Sequence, residues 1–141
     1  MAYTIEATRE AAVDPAAVWA LYMDPSTWPT WGHNVRWARA DGPLVEGGMV
    51  EIRPMYPATY RCRIRKLVPE RALEIEVRPI GLSIVNVYEI EPTPVGARVH
   101  HAFEMSGPFS GPIRWLGIAR LYRRLQDTEI RDCIALAQAR S

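Results

Sequence analysis

The chain opens on a strict alternation, with Tyr3, Ile5 and Ala7 apolar and Thr4, Glu6 and Thr8 polar between them. This period of two predicts a half-buried strand over Tyr3–Arg9. Asp14-Pro15 then supplies an N-cap and a proline at the first helical position, and Val18, Trp19, Leu21 and Tyr22 form an apolar face that stops at Asp24-Pro25. A short helix is expected there. A second one is expected over Ser26–Trp31, where Trp28 and Trp31 stand three apart. From Val35 the period returns to two, in short runs separated by turn signals at Asp41-Gly42-Pro43, Gly47-Gly48, Pro54 to Pro57, Pro69-Glu70, Pro79 to Gly81 and Pro92 to Gly96. These runs predict six further strands, seven with the first, and the short connections make them an antiparallel meander.

Alternation also assigns faces. Arg61, Arg63, Arg65, Glu74, Glu76, Arg78, Glu89, Glu91, Arg98, His100 and Glu104 fall on one side of the sheet. Tyr60, Cys62, Ile64, Leu73, Ile75, Val77, Leu82, Ile84, Asn86, Tyr88, Ile90, Val99, His101, Phe103 and Met105 fall on the other, which is the expected interior. Arg on one strand facing Glu on the next predicts cross-strand ion pairs on the wet side. From about Gly111 to Arg140, Ile118, Leu121, Tyr122, Leu125, Cys133, Leu136 and Ala137 recur near helical spacing among arginines. A one-faced sheet needs a cover, so this long amphipathic helix is expected to lie across it.

The order of strand, two short helices, six-strand meander and long C-terminal helix resembles the helix-grip fold of the START-like (SRPBCC) superfamily, which also holds the birch-pollen-allergen proteins. The stretch Val13-Asp14-Pro15-Ala16-Ala17-Val18-Trp19-Ala20-Leu21, then Asp24-Pro25, Trp28-Pro29-Thr30-Trp31 and Pro43-Leu44-Val45-Glu46-Gly47-Gly48, is similar to its polyketide cyclase/dehydrase branch. The resemblance covers the whole chain. It implies an α+β domain over residues 1–141 and an apolar pocket of several hundred Å³ between sheet and helix. Tyr60, Asn86, Tyr88 and His101 are the polar-capable inward residues; with Phe103, Trp115 and Tyr122 they are the candidate ligand-binding set.

Three functions follow as expectations. The first is non-covalent binding of a hydrophobic or aromatic small molecule such as a lipid, polyketide or related metabolite, with no cofactor. The second is an aromatase/cyclase or dehydratase in which His101, Tyr60 and Tyr88 are the candidate catalytic groups. Whether the chain is an enzyme is left open. The third is a protein-interaction module without a ligand. His100 and His101, as strand neighbours, point to opposite faces and do not make a joint metal site.

Composition narrows the classes. Charges nearly cancel to a formal +1, with 48% hydrophobic residues, which argues against a disordered chain and against a dedicated electrostatic nucleic-acid binder. Sixteen of the seventeen basic residues are Arg, a genomic bias of GC-rich bacteria. Cys62 and Cys133 lack metal or redox spacing and read as buried free thiols. No GxSxG, P-loop, GxGxxG or HExxH is present. Without a leader pattern or an eighteen-residue apolar run, the expectation is a cytoplasmic protein without stable membrane insertion, monomer or homodimer. Phe109 to Arg124, mixing apolar residues with arginines, reads either as an interfacial helix or as a loop leading into the core helix.

Overall fold

A computed structural model describes residues 3–32, 35–54, 58–79, 81–108, 111 and 118–140, the last segment without side chains at 118 and 119. Its elements are β1 (Tyr3–Ala11), α1 (Pro15–Tyr22), a 3-10 turn (Pro25–Thr27), α2 (Trp28–Trp31), β2 (Trp37–Arg39), β3 (Met49–Arg53), β4 (Tyr60–Val68), β5 (Ala72–Val77), β6 (Ser83–Thr93), β7 (Gly96–Ser106) and α3 (Ile118–Arg140). The Asp-Pro pairs act as expected. Asp14 Oδ1 accepts from the Ala16 amide at 2.9 Å and starts α1; Asp24 Oδ1 accepts from the Ser26 amide at 3.1 Å and starts the 3-10 turn.

The seven strands form one antiparallel sheet in the order β1-β7-β6-β5-β4-β3-β2. It is a meander closed at one edge by the first strand. The register places Leu73 opposite Tyr88 opposite His101, and Ile75 opposite Asn86 opposite Phe103, so the inward set forms continuous rows across β5, β6 and β7. The register slips once, between Ile64 and Lys66 on β4. There Arg65 and Lys66 both reach Glu74, at 3.5 and 4.0 Å, and Leu67 returns to the inner face opposite Leu73. Arg98 with Glu91 at 3.1 Å and His100 with Glu89 at 2.8 Å pair across strands as alternation predicts, whereas Arg78 reaches back to Glu76, two residues before it.

Two details depart from the sequence pattern. The outer face is not uniformly wet: Val85, Val87 and Ala102 form a small buried cluster there, flanked in register by Glu74, Glu76, Glu104 and Glu6. Their aliphatic stems give such residues some cover even where the carboxylates stay solvated. On α3, Leu121 is exposed, and the buried stripe is Gln126, Ile130, Cys133, Ile134 and Ala137. The helix is therefore rotated relative to a face drawn through Leu121. Its main packing is against β1, β7, α1 and α2, toward one side of the sheet.

The β6–β7 turn depends on a glycine. Gly96 has φ +152°, and a Cβ there would collide with the carbonyl oxygen of Ala11 and lie 2.7 Å from the Val13 amide nitrogen. Both obstacles are backbone where β1 leaves the sheet, so neither yields easily. Gly96→Ala is expected to cost about 2 kcal/mol and lower the melting temperature by roughly 6 °C, read by thermal unfolding.

Candidate functional site

The inner face divides into a filled end and an open one. At the filled end α1 and α2 bring Tyr22 and Trp31 onto the sheet beside Tyr88 and His101. The Tyr22 ring lies 5.3 Å from Tyr88 and 5.7 Å from His101; Trp31 lies 5.8 and 5.9 Å from the same two rings; Tyr88 meets His101 edge-on at 4.8 Å. Trp31 is pinned by its indole N–H, which donates to Thr27 Oγ1 at 3.2 Å, and Trp28 donates to the Tyr22 carbonyl at 3.2 Å. Both tryptophans are buried, and Trp31 packs onto the sheet face itself.

Within this cluster His101 is fully buried, and both ring nitrogens have partners. Tyr22 Oη stands 2.7 Å from Nε2, and Glu129 Oε1 stands 2.9 Å from Nδ1. Burial pushes the Tyr22 phenol well above its ordinary range, and the neighbouring Cys133, Tyr88 and Glu129 add to this, so the hydroxyl keeps its proton. The arrangement that leaves no donor stranded is a neutral imidazole carrying its proton on Nδ1. It donates to Glu129 and accepts from Tyr22 at Nε2, roles assigned from the network.

The open end is a cavity of about 180 Å³ between α3 and β3–β7. Tyr60, Asn86, Tyr88, Phe103 and Tyr122 line it, joined by Ile84, Cys62 and Glu129. Five of the seven sequence candidates thus meet in one space. His101 stands behind that wall, in contact with Tyr88 and Glu129, and Trp115 lies outside the described residues, as does half of the Phe109–Arg124 stretch. The cavity is smaller than the several hundred Å³ implied by resemblance, and the Tyr22–Trp31–Tyr88–His101 cluster fills the part of the interior that adjoins it.

Phe103 and Tyr122 stack across the sheet–helix gap, with centroids 5.2 Å apart and planes inclined by 14°. Burial, with the Glu129 carboxylate next, raises the Tyr88 phenol well above its usual value, so Tyr88 offers a hydrogen-bond donor rather than a phenolate. Burial also pushes the Cys62 thiol up to about 12, and Cys133 is raised in the same direction; both are buried free thiols. Neither is poised as a nucleophile.

Glu129 and Tyr22 are the members that sequence reading missed. Glu129 lies seven residues after Tyr122 on α3, three after the buried Gln126 and four before the buried Cys133, a spacing that places it beside the buried stripe. Its side chain is only 17% exposed. His100, by contrast, faces outward between Glu89 and Glu6, so the adjacent histidines serve opposite sides of the sheet.

The family model for polyketide cyclase/dehydrase and lipid transport proteins matches residues 2–138. The chain belongs to this family. Members of the START-like superfamily are also among its structural relatives. Protein MLL2253 from Mesorhizobium loti superposes with a TM-score of 0.74 at 18% identity, covering 99% of both chains. A START superfamily protein from Mycobacterium smegmatis gives 0.74 at 9% identity, with 98% of this chain and 99% of that one covered. The di-domain aromatase/cyclase StfQ of the steffimycin pathway gives 0.79 at 14% identity, and 99% of this chain spans 52% of that protein. At these identities the likeness is one of fold. No curated protein matches the sequence significantly. Family and fold are consistent with hydrophobic-ligand binding or with cyclase-type chemistry, and no described helix is long and apolar enough to cross a membrane.

Proposed function

We propose that this polyketide cyclase/dehydrase family member binds a small hydrophobic or aromatic molecule in the cavity between α3 and the inner sheet face. The observation that carries this reading is the cavity itself. About 180 Å³ of space is walled by Ile84, Phe103, Tyr60, Tyr88 and Tyr122, with Asn86 and Glu129 as orienting polar groups. That volume is comparable to an engineered cavity of about 150 Å³ known to take benzene, so it suits one ring or a short chain. A module that worked only through its surface would have no use for such a space.

Native mass spectrometry of the freshly purified protein beside a denatured control tests the reading. A bound apolar molecule that is released on denaturation is expected. A protein that is empty and also shows no saturable uptake across an apolar ligand panel would overturn the reading.

A cyclase or dehydratase is the second reading, and the Glu129–His101 pair favours it. A cavity-lining carboxylate backed by a buried imidazole is a group that can accept a proton, and the neutral Tyr88 phenol beside it can donate one. In this reading His101 is a positioning residue behind Glu129. Incubation with a linear polyketone followed by chromatography and mass analysis separates the two: a carrier returns the compound unchanged, a cyclase returns an isomer of equal mass and different retention, and a dehydratase returns it short of one water.

A further inference from the structure

We infer that the cavity selects a cationic ligand, a protonated amine carried on a small apolar or aromatic body. This rests on the ligand-binding reading above and narrows its class. Glu129 is the only acidic residue among the described residues lining the cavity, and no Lys or Arg is among them. One of its oxygens, Oε1, takes the His101 hydrogen bond at 2.9 Å. The other takes no hydrogen bond from a described residue, and the side chain is 17% exposed, on the side of the cavity it lines. His101 reaches only Oε1, and its other ring nitrogen is taken by Tyr22, so the second carboxylate oxygen is left to whatever enters the cavity. A carboxylate placed this way calls for a donor, and a cation meets both its hydrogen-bonding and its charge requirement.

The surrounding walls fit the same ligand. Tyr60, Tyr88, Phe103 and Tyr122 bring four aromatic rings to one cavity, and aromatic faces attract a desolvated ammonium. The side chains of Asn86, Tyr60 and Tyr88 make no hydrogen bond to a described residue, so they too are available to a bound molecule. A neutral alcohol would satisfy the free oxygen of Glu129 but leave its charge unmatched in an apolar space.

The test compares two probes of nearly equal shape, benzylamine and benzyl alcohol, titrated into the full chain at pH 7 and followed by NMR chemical shifts. Benzylamine is expected to bind about tenfold more tightly, with shifts centred on the cavity, and Glu129→Gln is expected to erase that preference. Equal affinities, or a tighter alcohol, would overturn the inference while leaving the ligand-binding cavity intact. Saturable binding of neither probe would likewise overturn the inference, and the native mass spectrum with the apolar ligand panel then decides the ligand-binding reading separately. The wild-type comparison stands without the variant, so a poorly folding Glu129→Gln protein does not weaken it.

Discussion

Replacing His101 by alanine is expected to destabilise the protein by about 4 kcal/mol, lowering the melting temperature by more than 10 °C. Three effects add up. The imidazole is fully buried and touches the rings of Tyr22, Trp31 and Tyr88, so its removal leaves a hole at the centre of the aromatic cluster. Tyr22 Oη loses its hydrogen-bond partner at a site without solvent. Glu129 loses the donor that holds its carboxylate in a mostly buried position. An orphaned buried polar group costs about 1–3 kcal/mol, more when charged.

Tyr22→Phe removes only one of these bonds and is expected to cost about 1–2 kcal/mol. Combining it with His101→Leu, which fills the hole and removes both ends of the Tyr22 bond, is expected to recover part of the loss. Urea unfolding of the three variants gives the ranking. A His101→Ala protein within 1 kcal/mol of wild type would show that the buried pair contributes little, contrary to the geometry described here.

The strands were legible because a period of two leaves few alternatives when one face is charged. The row from Leu73 through Tyr88 to His101 follows directly from alternation within each strand. The bulge at Arg65-Lys66 was not legible, yet it does no harm to the face assignment of β7, where His101 points inward as expected. The helix was harder. Leu121 carries an apolar side chain into solvent, while Gln126 is buried, so hydrophobicity alone sets the wrong rotation for α3.

The same limit hid Glu129. A glutamate on an Arg-rich helix reads as a solvated residue, and its role emerges only from a partner 28 positions earlier, just as Tyr22 and His101 are 79 apart. Long-range polar pairs leave no local period. Cavity volume is likewise set by how far Tyr22 and Trp31 reach onto the sheet, a matter of three-dimensional packing that no strand pattern encodes.

The second large effect concerns binding. Asn86 sits mid-strand on β6, opposite Phe103 and Ile75, and its side chain projects from the sheet into the cavity. Phenylalanine there adds bulk where about 180 Å³ is open, and it removes a polar group that makes no hydrogen bond to a described residue. Asn86→Phe should therefore fold, and even gain slightly in stability, while losing at least about a hundredfold in affinity for any ligand held in that space.

The most direct test of the account is a calorimetric titration of wild type and Asn86→Phe with one apolar aromatic ligand, each protein first checked for cooperative unfolding. One-to-one saturable binding in the wild type and its loss in the filled variant is the predicted result. Undiminished binding by a folded Asn86→Phe protein would contradict the account, because the ligand would then be held outside the cavity.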